Sequence, residues 1–569
     1  MSIFLQCLKY LRLIKTSKLI NKSVNGKVLD SSYGNEKPIF ITTPIFYVNS
    51  KPHIGHLYSA VIADSLKRYY ELRGKKVILS TGTDEHGLKI QQAAFKEKKN
   101  PQEFCDQMSD VFRKLFDEAN ISYTTFIRTT DQKHKETVKF FWKQLVDNGY
   151  VYKGNHEGWY SISDETFYSS SQIQEIQNDN SGNCAKVAIE TGNPVEWAEE
   201  ENYKFRLSNL KNELMKWLDT NPEVIVPSNK YNETKSLIMT DLIDLSISRP
   251  RSRLNWGIGV PGDDEQTIYV WLDALINYLT ITGYPWNKNE KEEEVINAWP
   301  ADIHIIGKDI LRFHAIFWPA FLLAVNLPLP KKILTHSHWT MGKHKMSKSR
   351  GNVVDPLMLL DCYGVDAIRY YLMRDGGISD DGSYSESNLR TRYRKDLAGQ
   401  LGNLVSRSTS LSLNPTSLVP KFPLDTKEKD ANLTNSLKNL SGQVGNHFEN
   451  FEFNKGLICI FEAISEVNKL FQSYEPWNLV DSLDSSPQNR ELLNRALFFA
   501  AETARISGIL LQPIMPTKMS TLLDNLSIGK DERKWSDAVM GNGWPSVKNG
   551  SEMMFKIKDK DVLFPKLKQ

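Results

Sequence analysis

The sequence predicts an α/β protein: a parallel sheet interrupted by a long polar insertion and followed by a helical C-terminal region. Three observations predict it. Apolar, β-branched runs at residues 39–43, 76–80 and 302–306 end in turn formers, glycine or charged residues, and two of them feed a helical pattern, the order of a β–α unit. Between about 146 and 260 the pattern lapses into polar, irregular sequence rich in Ser, Asn and Gly. Helical patterns then fill residues 388–404 and most of 430–525.

In the first unit, Ile39, Phe40, Ile41, Thr42 and Thr43 read as a buried strand, with Asn49, Ser50 and Pro52 as turn formers. A helix follows from about His53 to Gly74, placing Leu57, Ala60, Val61, Leu66 and Tyr70 on one face. His53 and His56 stand three apart at its start, on one side, and Gly55 between them lets a flat ligand approach the backbone. A helix N-terminus favours an anion, and two imidazoles strengthen the site. This is a candidate site for a nucleoside triphosphate; the alternative is a pair of histidines capping a buried helix.

The second strand, 76–80, delivers Thr81-Gly82-Thr83-Asp84-Glu85-His86-Gly87. Polar residues at the carboxyl end of a parallel strand are where open sheets bind ligands. Asp84 is the candidate for a substrate ammonium, with a helix N-cap as the equal alternative. After the insertion the sheet pattern resumes at 267–275, and the strand at 302–306 ends in Gly307, Lys308 and Asp309. The following helix carries Ile310, His314 and Phe317; with Trp271 and Tyr278 these read, as a pattern alone, as core. Far downstream, Lys345-Met346-Ser347-Lys348-Ser349 places two lysines on a polar loop, and Asp355-Pro356 opens a short helix. Arg390, Arg392, Arg394 and Lys395 form a basic cluster ahead of Asn403 and Arg407, either a solvated face or a contact for an RNA backbone. Trp477 is a candidate platform for an unpaired base, or an ordinary buried Trp.

A chain of 569 residues holds several domains and substantial cores. Its longest apolar run, 315–325, contains Pro319 and is too short to span a bilayer, so no membrane insertion is expected. Residues 1–29 carry six Lys or Arg and no Asp or Glu, with leucines interspersed, as in a mitochondrial presequence. A disordered basic arm touching RNA is the alternative. Without those six charges the formal net charge passes from +3 to −3, so any RNA contact must come from local patches. Cys7, Cys105, Cys184, Cys362 and Cys459 are scattered and form neither a disulfide framework nor a four-cysteine zinc knuckle.

The segments ITTPIFYVNSKPHIGH, STGTDEHG, RPRSRLNWGI, YVWLDALINYL, IIGKDILRFHAIFWPA, KMSKSRGNVVDP and LGNLVSR, in this order, resemble the methionyl-tRNA synthetases from about residue 38 to the C-terminus. The HIGH and KMSKS signatures are common to class I aminoacyl-tRNA synthetases; the surroundings of Trp271 and His314 single out methionine. The resemblance implies a Rossmann-type catalytic domain split by a connective insertion and followed by an α-helical anticodon-binding domain. Its expected divisions are a mitochondrial presequence at 1–33, catalytic halves at 34–145 and 261–338, the insertion at 146–260, a stem-contact fold at 339–395 and the helical domain at 396–569.

The resemblance further implies attachment of methionine to tRNA(Met) through methionyl-adenylate in the mitochondrial matrix, with ATP and Mg2+ entering as substrate. It implies ATP contacts at His53, Gly55, His56, Gly307, Lys308, Asp309, Lys345, Met346, Ser347 and Lys348, of which His53, His56, Lys345 and Lys348 are catalytic. The implied methionine pocket is Pro44, Ile45, Tyr47, Asp84, Trp271, Ala274, Tyr278, Ile310 and His314, with the Ile45 N–H and the Tyr278 hydroxyl as weak donors near the thioether. Asn403, Arg407 and Trp477 are the expected anticodon contacts.

Three departures stand out. Ser161 and Asp164 occupy places where zinc-knuckle members have cysteines, so no structural zinc is expected. Leu275 replaces a proline of some members, and the sequence stops shortly after Leu563-Phe564-Pro565, which favours a monomer. Two other functions fit parts of the sequence: a different nucleotidyl transfer using HxGH alone, or a noncatalytic RNA-binding relative of a synthetase.

Overall fold

The computed structural model describes residues 37–164, 166–177, 184–189, 191–240, 242–286, 297–342, 344–345, 354–415, 417–420, 428–480, 486–541 and 562–567. The presequence reading, the charged run at 288–294, and Met346, Ser347 and Lys348 lie outside them.

Six parallel strands form the central sheet: β1 (Ile39–Tyr47), β2 (Val77–Asp84), β3 (Thr125–Arg128), β4 (Ile225–Val226), β5 (Ile303–Gly307) and β6 (Ile333–His336). Their spatial order is β3-β2-β1-β5-β6-β4, with Ile41 opposite both Leu79 and Ile303. Strand order reverses between β1 and β5, and the crevice outside the carboxyl ends at such a reversal is where doubly wound sheets bind ligands. β1 runs four residues past the expected stretch, through Pro44. A central strand tolerates proline only where the ladder is interrupted, and here the β1–β2 register slips between Thr42 and Ile45.

Helix α1 (Ile54–Leu72) covers the sheet, and its burial exceeds the single face read from sequence: every residue from Leu57 to Lys67 is buried. One side meets the sheet, and the other meets the C-terminal half. At the centre of that contact, Asp64 accepts from Arg369 at 2.6 Å with both side chains fully buried, and Arg369 also donates to the carbonyls of Pro513 and Ile514. Burial alone would raise the Asp64 pKa; Arg369, Arg68 and the Ser122 hydroxyl outweigh it and hold the carboxyl below its ordinary range. The helix α2 (Val365–Asp375) that carries Arg369 follows a segment capped by Asp355, whose carboxylate accepts from the Leu357 N–H. Beyond it, α3 (Glu428–Glu449), α4 (Phe453–Tyr474) and α6 (Pro516–Asn525) pack around α5 (Pro487–Leu511), which is buried continuously from Ala496 to Leu511. Among the described residues, no helix is long and apolar enough to cross a membrane.

Two local expectations change. The resumed sheet pattern at 267–275 is a strand only through Ile268, in a separate antiparallel sheet; Val270–Leu275 is helical. A short apolar run does not distinguish the two, and the helix places Asp273 against two histidines. The stretch 146–260 contains antiparallel strands, Val151–Ser161 pairing Glu196–Phe205 along their length, but it also supplies β4 as the edge of the parallel sheet.

Candidate active site

At the carboxyl edge of the sheet, His53 is the N-cap of α1 in extended conformation. Its Nδ1 accepts from the Gly55 N–H at 3.1 Å, and the Nδ1 of His56 accepts from the His53 N–H at 3.1 Å. An acceptor nitrogen carries no proton, so each ring holds its proton on Nε2. The rings stack with centroids 3.8 Å apart and planes 23° from parallel. Burial and the neighbouring His53 drive the His56 pKa well below its ordinary value, against an opposing pull from Asp309. A Cβ on Gly55 would come within 2.9 Å of the His53 ring, so glycine keeps that ring in place. The pair are therefore caps, as the alternative reading had it, and also neutral donors at the helix start.

Pro44, Ile45, Tyr47, Asp84, Trp271, Ala274, Tyr278, Ile310 and His314 line one cavity of about 460 Å³, together with His53, Gly55, His56, Gly307 and Asp309. Asp84 ends β2 opposite Tyr47, and the helix after it is capped at Gly87, so Asp84 is not an N-cap. Trp271 stacks on Phe313 with centroids 3.6 Å apart. A π-helical turn, Phe313–Phe317, carries His314, and such turns occur often at functional sites. His314 donates from Nδ1 to the Ile310 carbonyl at 3.0 Å and accepts at Nε2 from the Tyr278 hydroxyl at 2.8 Å. Burial lowers its pKa to about 4. Beneath them His304 accepts from the Trp318 indole N–H and donates from Nδ1 to Thr42, and burial holds it neutral as well. The Tyr278 proton is thus committed to His314, so the hydroxyl has only lone pairs to offer the cavity, where the resemblance implied a donor.

Lys308 does not line the cavity; its ammonium lies 2.6 Å from Asp381, which also accepts from the His338 N–H. Lys345 pairs with Thr340 in a short antiparallel ladder, so its backbone is fixed beside the strand Trp339–Met341. Of the expected anticodon contacts, Asn403 opens a short helix and Trp477 is 42% exposed just after α4. Arg407 is turned inward, bonding Asn468 and lying over Phe471, and burial lowers its pKa. Two members of the basic cluster are paired within the chain, Arg390 with Glu386 and Arg392 with Asp375.

Sequence reasoning missed the supports. Asp273 accepts from His86 at 2.6 Å and His134 at 2.8 Å, joining the loop after β2 to the helix of Trp271 and Ala274. Its pKa falls to about 2: burial opposes ionisation, and the two histidines overcome it. Glu85 takes a two-pronged bond from Arg128 at 2.7 and 2.8 Å, and its carbonyl accepts from the Trp256 indole. A carboxylate inside an apolar run, as in Leu272-Asp273-Ala274, was the available signal. In the insertion, Asp164 binds Thr191 at 2.7 Å and Asn193 at 2.6 Å; the side chain of Cys184 lies outside the described residues. Among the described residues no cluster of three or more His, Cys, Asp or Glu is arranged to hold a metal.

Fold and site define an α/β nucleotide-binding enzyme whose cavity sits at the switch point of a parallel sheet. Known proteins narrow this. The family model described as tRNA synthetases class I (M) matches residues 39–409. A probable mitochondrial methionine–tRNA ligase of Neurospora crassa is 44% identical over 93% of this chain and 85% of its own length. The mitochondrial methionine–tRNA ligase of Homo sapiens is 44% identical over 87% of this chain and 84% of its own. The crystal structure of Mycobacterium tuberculosis methionyl-tRNA synthetase bound by methionyl-adenylate superposes with a TM-score of 0.84 at 37% identity, over 93% of this chain and all of that one. The chain belongs to the methionyl-tRNA synthetases of class I.

Proposed function

We propose that this protein attaches methionine to tRNA(Met) through methionyl-adenylate, for protein synthesis in mitochondria. The observation that carries it is one cavity joining two neutral imidazoles at a helix start to an aromatic wall and a buried carboxylate. Methionine enters with its side chain against Trp271, Ala274, Tyr278, Ile310 and His314, and its ammonium on Asp84. ATP enters with Mg2+ on its phosphates, its triphosphate against His53, His56 and the loop of Lys345 and Lys348. The methionine carboxylate displaces pyrophosphate at the α-phosphorus, and the terminal ribose 2′-hydroxyl of the tRNA then takes the acyl group. No covalent bond to the protein forms.

Neutral Nε2–H groups donate to the phosphate oxygens, and the lysines supply the positive charge, so catalysis is positioning and charge stabilisation. In this reading residues 1–33 are the mitochondrial presequence, 146–260 the connective insertion and 396–569 the anticodon-binding domain, with Trp477 stacking on an unpaired base. The test is ATP–pyrophosphate exchange. Exchange dependent on methionine supports the reading; exchange with another amino acid, or none, overturns it.

A further inference from the structure

Asp273 sits 1% exposed between Trp271 and Ala274 on the helix Val270–Leu275, yet it is not part of the cavity wall that those two residues form. Its oxygens are divided between two buried rings, Oδ2 to His86 Nδ1 at 2.6 Å and Oδ1 to His134 Nε2 at 2.8 Å. Each ring is braced in turn. His134 Nδ1 lies 2.9 Å from the hydroxyl of Thr280, on the short helix Asn277–Thr280 that carries Tyr278. His86 meets Trp256 edge-on with ring centroids 5.6 Å apart, and the Trp256 carbonyl accepts from the Gly87 N–H.

The carboxylate thereby joins two separate parts of the cavity wall. Asp84, two residues before His86, ends β2; Trp271 and Ala274 flank Asp273 itself. Among the described residues no backbone ladder runs between these parts. β2 pairs with β1 and β3, whereas the strand Asp263–Ile268 leading into the helix pairs with Ser248–Pro250 and Gly259–Val260. Apolar packing alone leaves such a seam free to slide, because burial has no preferred direction. Charge-assisted bonds are directional, and a buried carboxylate deprived of one partner is strongly destabilised, so this seam has one favoured register.

We infer that Asp273, through His86 and His134, fixes the distance between the ammonium site at Asp84 and the side-chain wall at Trp271 and Ala274, and so sets the length of amino acid that is activated. This rests on the methionine site proposed above. A substrate held at both ends is measured between them. A side chain one methylene shorter leaves the wall unfilled, and one methylene longer is pressed against it. Asp273 touches no substrate atom; it is a positioning residue, acting through the rings it holds.

The test uses the full chain in pyrophosphate exchange with methionine, S-methylcysteine (one methylene fewer between Cα and sulfur) and homomethionine (one more). The wild-type protein is expected to prefer methionine to each homologue by about 10- to 200-fold in kcat/KM, the usual worth of one methylene. His86→Ala should shrink that preference about tenfold and raise the methionine KM while the rate at saturation holds, which marks a loss of binding rather than of chemistry. His86→Asn, whose amide nitrogen can stand where Nδ1 stood, should restore the preference. Partial unfolding alone lowers the active fraction for all three amino acids equally and leaves their ratios untouched. His134→Ala and His134→Gln repeat the comparison at the other oxygen, should His86→Ala fail to fold. Wild-type ratios in a folded alanine variant, or a wild-type protein that takes all three amino acids alike, would overturn the role of Asp273 and leave the activity standing. Absence of methionine-dependent exchange in the wild-type protein would overturn both.

Discussion

Two sets of histidines stand at and behind the reaction cavity, and their hydrogen bonds put their protons to opposite uses. At the start of α1, His53 and His56 spend Nδ1 on backbone N–H groups and keep the proton on Nε2. At the aromatic wall, His314 and, behind it, His304 spend both nitrogens on the protein: Ile310 and Tyr278 for one, Trp318 and Thr42 for the other. The difference is one of backbone position. A cap at a helix start meets N–H donors with one side of the ring, whereas a ring inside a π turn or a central strand is enclosed by partners. The first set can therefore donate to a ligand without bringing a charge, while the second shapes an apolar site and fixes the tautomers that hold it.

The comparison breaks most readily at His56. His56→Ala should lower the rate of pyrophosphate exchange about 100- to 1,000-fold, the usual result of removing one donor to a transition state. An equal rate loss in His304→Ala, at comparable folding, would erase the distinction. Next in size, Tyr278→Phe leaves the His314 Nε2 without its donor, which costs about 1–2 kcal/mol and should raise the methionine KM roughly tenfold while the exchange rate at saturation holds. A fall in rate at unchanged KM would place Tyr278 with the first set.

Acid titrates enclosed rings: His314, and His336 at the end of β6, whose two nitrogens are bonded to the Ser59 hydroxyl and the Ser337 carbonyl. Burial sets both pKa values at about 4 in the folded chain against 6.5 in an unfolded one. The unfolded state then binds more protons between those values, so their contribution to stability is complete above pH 6.5 and is lost as pH falls toward 4. Each ring should cost about 1–2 kcal/mol between pH 6.5 and 5, read as a lower urea midpoint, and His336→Gln should flatten that slope. The smallest effect is expected at Asp381. Asp381→Asn releases Lys308 from a partly exposed pair and should lower the ATP KM by no more than about fivefold; a rise would mean that Asp381 positions the lysine rather than withholding it.

Much of this site is legible in the order of residues, because its parts are local. His53-Ile54-Gly55-His56 is a helix start with its caps, Asp84 ends a strand, and Asp355-Pro356 opens a helix where the sequence has it. What escaped depends on distance along the chain. The bonds of Asp273 to His86 and His134 join residues more than a hundred positions apart, and no periodicity marks them. The helix 270–275 read as a strand because six apolar-rich residues are too few to show a period. β4 has two residues, below any pattern, and takes its identity from β6 beside it. The Tyr278 hydroxyl read as a donor to ligand because its true acceptor becomes apparent only once His314 is seen bonding Ile310.

The buried Asp64–Arg369 pair reaches past the site it supports. Because Arg369 also grips the carbonyls before α6, the helix over the sheet and the far helices are joined at a fully buried ion pair, where losing either partner alone costs about 3–5 kcal/mol. A displacement at the middle of α1 is then felt at the start of α6, because one guanidinium ties the two together rather than a run of loops.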